Sequence, residues 1–580
     1  MKLFEMIICL SRKKAVLCLL LFTLSLAVLF ATRSAQQERD SLAYAQAVKL
    51  GEDLLHPHHL LFNPISRAVL LAAWTVSIPW DAVTAMQVHN IIWAAAAVAG
   101  FFLVVCGVIG RPLLAFLASL ILLATQGFWL LATQTTLYTP ACAVLILLSA
   151  AALHCVSGQM PWRGYPYLLA FLLALAVLYY QANVLFCLPL AVLLVSHQGR
   201  TGFWKWTLVV AIAGIVTLAV YLSAFNAAHP QASLAEFWQF CFQYNSQLCW
   251  GAECVDAPEN WGTFANYGPQ GIFELGRGLL WLFVPHVSTL AVLASGIGLI
   301  GLLWWHISGL THASQRWKMR AFLVTWVLTY LAFFLWWLPS YQHPLLIVLP
   351  PILLLGILTV VDISLATPRL SEKRMRLVVS SALMLLAVTN MYVAVRPRLS
   401  PSDSYWEAKE LSEAAPGNAR FLVSYRVWNH LRYYFDRQES ARLAKFPLVY
   451  FYQDKQLPAT YHLDDNSLVF IDSGFVAPGY RLEGYSSQPV NGFVRPDRWL
   501  AYISWLFGFE SDSGGRIARA RDFRVVRLRE GNPYLLLLQE KKSVDNVSDF
   551  MRELETTLTS SGNERVLATW RGDAMTTPGE

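Results

Sequence analysis

The chain has 580 residues, 56% of them hydrophobic and 14% charged, with 22 Trp and 32 Phe. That excess of apolar side chains excludes a soluble globular protein and predicts an integral membrane one. The formal net charge of +7 suits basic cytoplasmic loops, and no nucleic-acid partner is expected.

A helix needs about 20 mostly apolar residues to cross the hydrocarbon core. The first such run, AVLCLLLFTLSLAVLFAT at 15–32, follows Arg12, Lys13 and Lys14. The ATRSAQ after it is weakly compatible with signal cleavage, but the run is long enough to span and many spans follow, so an uncleaved anchor is expected. Further spans are predicted at 82–109, 112–126, 138–156, 166–179, 183–196, 206–226, 286–306, 321–338, 343–362 and 377–395. The chain then reads as mainly α, a polytopic membrane helix bundle of about eleven spans.

Charge alternates between the connecting loops. Arg111, Arg163, Arg200 with Lys205, the cluster Arg316, Lys318, Arg320 and the cluster Arg369, Lys373, Arg374, Arg376 mark one side as cytoplasmic. TQGFWLLATQTTLYTP, YYQAN and PSYQHP carry no Lys or Arg, and the long loop 227–285 has only Arg277. This predicts the N-terminus inside and the C-terminus outside, with loops 33–81 and 227–285 on the outer face. The opening loop is the exception to the charge rule, with Arg33, Arg39, Lys49 and Arg67. In a bacterium the outer face is periplasmic, away from ATP and nucleotide sugars.

The opening loop contains RDSLAYAQAVKLGEDLLHPHHLLFNP at 39–64. Ala43, Ala47, Leu50 and Leu54 recur at helical spacing, which predicts a short amphipathic surface helix bearing Tyr44 and Lys49. Asp40 stands at its start, either as a helix N-cap or as a chemical group. His56, His58 and His59, near Glu52, Asp53 and Asp40, offer donors for a divalent metal, but Pro57 removes the i,i+4 geometry of a helical metal site. A polar cluster capping a membrane turn explains the histidines equally well, and the metal stays open.

In the long loop, QLCWGAECVDAPENWGTFANYGP sets Glu253 and Asp256 beside Trp250 and Trp261. Carboxylates next to aromatic rings suit a sugar, and an aromatic belt at the membrane surface explains the Trp residues as well. Arg277, Lys49 and Arg67 are cations that could meet a lipid-linked phosphate, and no spacing rule selects among them. A bridge between Cys249 and Cys254 is compatible with an oxidising compartment.

Gly296, Gly298 and Gly301 formally match a dinucleotide fingerprint, but they lie inside a span with no βαβ unit, so a cofactor role is rejected. Small residues there predict close helix packing. Beyond about residue 398, helical segments alternate with short β-rich runs such as PLVYFYQ and FRVVRLREG. A soluble extracytoplasmic α/β domain, 398–580, follows the membrane domain 1–397. It has no metal spacing, nucleophile elbow or phosphate loop, and reads as a docking or acceptor-recognition module.

The opening stretch resembles the first outer loop of the GT-C membrane glycosyltransferases, the protein O-mannosyltransferase and aminoarabinose-transferase-like superfamily with its RgtA/B/C/D-like branch. The likeness rests on one N-terminal span, then Asp40, the Tyr44–Gly51 helix, and the return HPHHLLFNPISRAVLLAAW. GFWLLATQTTLYTPACAVL and LYYQANVLFCLPLAVLLV are similar to later segments of that superfamily. The resemblance implies transfer of a sugar from a polyprenyl-phosphate donor to a glycan, lipid or protein acceptor on the outer face, with inversion, and it maps the superfamily's first-loop acid onto Asp40. The mannosyltransferases' second acid is not matched, because Glu38 and Arg39 precede Asp40. A transporter or flippase of a lipid-linked glycan, and a scaffold in which the tail does the work, are the rival readings.

Overall fold

The computed structural model describes residues 12–37, 41–157, 164–228, 233–244, 248–249, 269–285, 288–308, 316–337, 342–366, 372–415, 419–423, 425–437, 468–472, 507, 510–511, 517–526, 534–543 and 547–560. The chain divides into two compact units, Met1–Ser400 and Pro401–Glu580.

The first unit is helical. It begins with α1 (Arg12–Ala31), the short α2 (Ser41–Leu50), a 3-10 turn at Pro57–His59 and α3 (Phe62–Thr75). Then come α4 (Ala82–Ile109), α5 (Pro112–Ala124), α6 (Gln126–Thr133), α7 (Tyr138–Val156), α8 (Tyr165–Tyr179), a 3-10 turn at Gln181–Phe186 and α9 (Cys187–Ala228). After α10 (Leu234–Phe242), the two-residue strands β1 (Gln243–Tyr244) and β2 (Leu248–Cys249) pair antiparallel. The unit continues with α11 (Pro269–Trp281), α12 (Thr289–Ser308), α13 (Trp317–Trp337), a 3-10 turn at His343–Val348, α14 (Leu349–Ala366) and α15 (Glu372–Asn390).

Local chemistry sets the ends of α4. Asp81 accepts a hydrogen bond from the Thr84 N–H at 2.8 Å, satisfying a first-turn donor. Gly110, at φ 68°, ends the helix in the left-handed conformation that glycine adopts without a Cβ clash. Small residues of α4, among them Ala85, Ala94, Ala95 and Ala97, are buried, as are Ala141, Ala143, Ala150 and Ala151 of α7, against which α4 packs. A Cβ on Gly100 would lie 2.9 Å from Leu147 Cδ2, so glycine permits that approach.

Among the described residues, eight helices are long and apolar enough to cross a membrane, and α5 with α6, bent by 64°, make a ninth if the pair is one span. The apolar α8 is shorter, at 15 residues, and Gly199, with φ 57° and ψ −134°, interrupts the 42-residue α9. The glycines of the 296–301 stretch depart from their expected role. A Cβ on Gly296, Gly298 or Gly301 would meet nothing within 4 Å among the described residues, so these glycines are not at a close contact with them. They lie in α12, a helix whose apolar residues Leu290, Ile297 and Ile300 are highly exposed.

The second unit carries α16 (Asp403–Ala414), β3 (Arg420–Leu422), α17 (Tyr425–Tyr434), β4 (Val469–Asp472), β5 (Glu510–Ser511), β6 (Ile517–Val526), β7 (Tyr534–Ser543) and α18 (Val547–Ser560). Its five-stranded sheet runs β3-β4-β7-β6-β5, with β3 and β4 parallel and the other pairs antiparallel. Ala408 and Leu411 of α16 and Val427 and Leu431 of α17 pack with Phe421, Phe470 and Leu536 of the strands. These strand residues are apolar and buried, and the helices cover them.

Candidate functional site

The loop after α1 is held by amides from α4 and by the turn after α6. Gln87 and Asn90 stand three residues apart on one face of α4. The Gln87 side-chain N–H donates to the carbonyls of Ser34 at 2.7 Å and Thr133 at 2.8 Å. Asn90 donates to the carbonyls of Gln134 at 2.6 Å and Thr136 at 2.7 Å. Backbone carbonyls removed from water need such partners, which is why two buried amides sit at the start of an otherwise apolar helix.

Thr135 lies at the centre of this frame. Its backbone N–H and its hydroxyl both donate to Gln37 Oε1 at 3.2 Å, and its carbonyl accepts from Ser41 Oγ at 3.0 Å. Gln37 and Ser41 flank residues 38–40. Asp40 falls in that segment, outside the described residues, as do Glu253, Asp256 and Cys254 of the long loop.

The helix α2 forms as expected, but a different face is covered. Ser41, Leu42, Ala45, Gln46 and Val48 are buried, whereas Leu50 of the predicted stripe is 41% exposed. Packing of α2 on α3 and α4, rather than a lipid surface alone, chooses that face. Its end is closed twice. Gly51, at φ 79°, donates its N–H to the Ala47 carbonyl at 2.8 Å, and Arg67 Nη1 donates to the carbonyls of Val48 at 2.8 Å and Lys49 at 2.9 Å. Arg67 therefore caps the carbonyls that α2 leaves open, with its guanidinium 5.4 Å from the Trp74 ring centre. Lys49 is exposed at the end of α2.

The histidines form a tight turn against three other elements. Pro57 occupies the first position of the 3-10 turn, where its missing N–H costs nothing, and its carbonyl accepts from Tyr221 of α9 at 2.5 Å. Gln181 bridges two segments, with Nε2 donating to the Cys241 carbonyl at 3.0 Å and Oε1 lying 2.9 Å from His58 Nδ1. The amide orientation makes Oε1 the acceptor, so His58 carries a proton on Nδ1. His56 and His59 stack with centroids 4.4 Å apart and planes 3° from parallel, and Tyr44 meets His59 edge-on at 4.8 Å. Tyr44 and the three histidines are thus brought together.

Burial pushes the His56 imidazole down to about 4, and burial together with the neighbouring His56 and His58 holds His59 well below the usual histidine range. Both are neutral at pH 7, able to donate or accept hydrogen bonds but not to supply charge. His59 is 1% exposed, and neither ring nitrogen has a hydrogen-bond partner among the described residues. Each such nitrogen costs about 1–3 kcal/mol unless something binds it.

The trio does not fit a metal. Imidazole lone pairs lie in the ring plane, so two parallel rings 4.4 Å apart cannot both aim at an ion roughly 2 Å from each. Among the described residues, no group of three His, Cys, Asp or Glu is arranged to hold one.

A second polar network went unread in the sequence. His89 Nδ1 lies 2.9 Å from Ser66 Oγ, and Nε2 lies 3.0 Å from the Tyr179 hydroxyl. Trp93 donates its only polar hydrogen toward both His89 Nε2, at 3.0 Å, and Tyr179, at 3.1 Å. Nε2 is thus an acceptor, and Nδ1–H donates to Ser66. The network ties α3, which follows the histidine turn, to α4 and α8. Its signal was present in MQVHN, a polar cluster within an apolar span, which is a site hypothesis by itself. Arg277 belongs to neither group. It pairs with Glu274 one turn away on α11 at 2.6 Å, with its side chain 45% exposed.

No family model and no curated protein matches the chain. Solved structures similar to it include ArnT from Cupriavidus metallidurans bound to undecaprenyl phosphate, with 14% identity, TM-score 0.39, and coverage of 89% of this chain and 97% of that one. The Archaeoglobus fulgidus oligosaccharyltransferase in the apo form has 11% identity, TM-score 0.49, and coverage of 97% and 84%. The same archaeal enzyme in complex with an inhibitory peptide and a dolichol-phosphate has 12% identity, TM-score 0.43, and coverage of 93% and 75%. These neighbours are membrane glycosyltransferases of the GT-C superfamily.

Proposed function

We propose that the chain is an integral-membrane glycosyltransferase that moves a sugar from a polyprenyl-phosphate donor to an acceptor on the outer face, with inversion and with Asp40 as the base. One observation supports this reading above the others. Gln37 and Ser41, on either side of the segment that contains Asp40, are both anchored on Thr135. A general base must be held to within a fraction of an ångström of its target, and Gln37 and Ser41 are fixed to Thr135 on the two sides of the segment in the sequence.

In this reaction the Asp40 carboxylate takes the acceptor hydroxyl proton as that oxygen bonds to the anomeric carbon. The bond from that carbon to the phosphate oxygen breaks on the opposite face, and polyprenyl phosphate leaves with the electron pair. The acceptor is a glycan, lipid or protein. Tyr44, His56, His58 and His59 contact substrate as hydrogen-bonding and stacking groups, His56 and His59 as neutral imidazoles. Lys49 is the cation assigned to the phosphate, with Arg67 and Arg277 offering only the donors not used on the α2 carbonyls and on Glu274, and Glu253 and Asp256 are assigned to sugar hydroxyls. The chain crosses the membrane about eleven times, N-terminus inside, with residues 398–580 as an acceptor-docking α/β domain on the outer side of a bacterial cell membrane.

The test compares Asp40→Asn with wild type by mass spectrometry of surface glycans or lipid A and of polyprenyl-phosphate sugar. The variant is expected to insert normally, lose transfer and accumulate donor. Normal transfer by a correctly inserted variant removes Asp40 from the chemistry. Reconstituted protein that carries labelled donor across a bilayer without consuming it would establish the transporter alternative instead.

A further inference from the structure

The chain just past α1 is joined to the 3-10 turn Arg396–Leu399, which follows α15 through a π-helical turn at Met391–Val395. Ala35 donates its backbone N–H to the Arg398 carbonyl at 2.7 Å, and Gln36 Nε2 donates to the Pro397 carbonyl at 3.1 Å. Both helices pack against α5. They therefore reach the same membrane surface side by side, whichever surface that is.

Three arginines gather at this junction, and they behave differently. Arg398 donates from Nη1 to the Ala394 carbonyl at 2.8 Å, the usual use of a cation at a helix C-terminus. Arg33 and Arg396 make no hydrogen bond or ion pair among the described residues. Each instead lies over the ring of a residue one turn back, Arg33 at 4.7 Å from the Phe30 centroid and Arg396 at 5.8 Å from that of Tyr392. Those rings point away from the protein, Phe30 being 46% and Tyr392 63% exposed. Leu399, on the same rim, is 42% exposed. Two guanidiniums without a partner among the described residues, above outward-facing aromatic rings at the level where spans end, match a lipid headgroup zone.

We propose that the joined segments following α1 and α15 bind the phosphate of an anionic phospholipid through Arg33 and Arg396, with its acyl chains over α5. Charge complementarity selects the occupant, because a zwitterionic lipid would bring its own cation against two more. The outward direction of the supporting rings selects a bilayer lipid over a substrate held inside the bundle. The inference is independent of the proposed transferase activity and of the membrane orientation.

The test uses the full chain purified in micelles containing equal phosphatidylglycerol and phosphatidylcholine, with retained lipid counted by native mass spectrometry. Wild type is expected to retain phosphatidylglycerol preferentially. Arg33→Gln with Arg396→Gln lowers that preference by roughly tenfold or more, since each cation near an anionic headgroup contributes about a fivefold factor. Arg33→Lys with Arg396→Lys keeps most of it, as a point charge still serves a phosphate. Lys13→Gln, at the opposite end of α1, lowers it by less than the double Gln variant does. Equal retention by the double Gln variant, an equal loss in Lys13→Gln, or an equal loss in the double Lys variant would each overturn the proposal.

Discussion

Replacing Gln87 with Met removes two hydrogen bonds while keeping the side chain's length. The bonds run from one amide to the Ser34 and Thr133 carbonyls at 2.7 and 2.8 Å, and Gln87 is 3% exposed. Each bond contributes about 1 kcal/mol net, and the carbonyls it leaves behind, partly reached by other donors, add to the cost, so the loop anchor weakens by about 2–4 kcal/mol. At 1.4 kcal/mol per factor of ten, the local opening equilibrium rises roughly 30- to 1,000-fold. Hydrogen exchange read by mass spectrometry measures that opening directly. Peptides covering 32–41 and 133–137 should lose protection by a factor in that range, while peptides from α7 keep theirs. Unchanged exchange at 32–41, or an equal increase throughout the bundle, would refute the assignment of Gln87 as the loop's anchor.

Substituting His59→Phe removes two unpartnered nitrogens and keeps a ring in the aromatic contact with Tyr44. Stability should hold or rise by about 1 kcal/mol, while transfer falls about tenfold or more if the imidazole serves substrate; thermal melts and a transfer assay on one preparation separate the two, and full activity would make His59 a packing residue. The folded-state His56 sits at about 4, below its ordinary 6.5, so between these values the unfolded chain binds a proton that the folded chain refuses. Stability should therefore fall as pH drops from 6.5 toward 4, with His59 adding in the same direction, and His56→Gln should flatten the melting-temperature profile; a profile unchanged by that substitution would count against the buried neutral imidazole. Asp362→Asn weakens the pairs with Arg316 at 2.7 Å and Arg320 at 2.5 Å. These groups are partly buried, so a loss of about 2–4 kcal/mol is expected as a lower melting temperature in detergent, with activity per folded molecule unchanged.

The membrane class, the placement of most helices and the helix after residue 40 were legible because hydropathy and helical spacing are properties of neighbouring residues. Ala82–Ile109 and Tyr138–Val156 coincide with the predicted spans. Interruption of the pattern by polar residues also pointed to the opening loop, since buried histidines and amides need partners wherever the chain runs. What those partners are was not legible. Thr135 meets Gln37 and Ser41 across more than 90 residues, and His89 meets Tyr179 across 90. Only the packing of α4 against α7 and α8 brings them within hydrogen-bond reach. The same holds for Arg67, one of three cations that no local rule could rank, whose Nη1 is committed to the end of α2. Local sequence determined which segments are long and apolar enough to enter a bilayer, because water-to-lipid transfer acts residue by residue. Tertiary structure decided which polar groups are satisfied and which, like His59, find no hydrogen-bond partner among the described residues, because that depends on atoms supplied from distant parts of the chain.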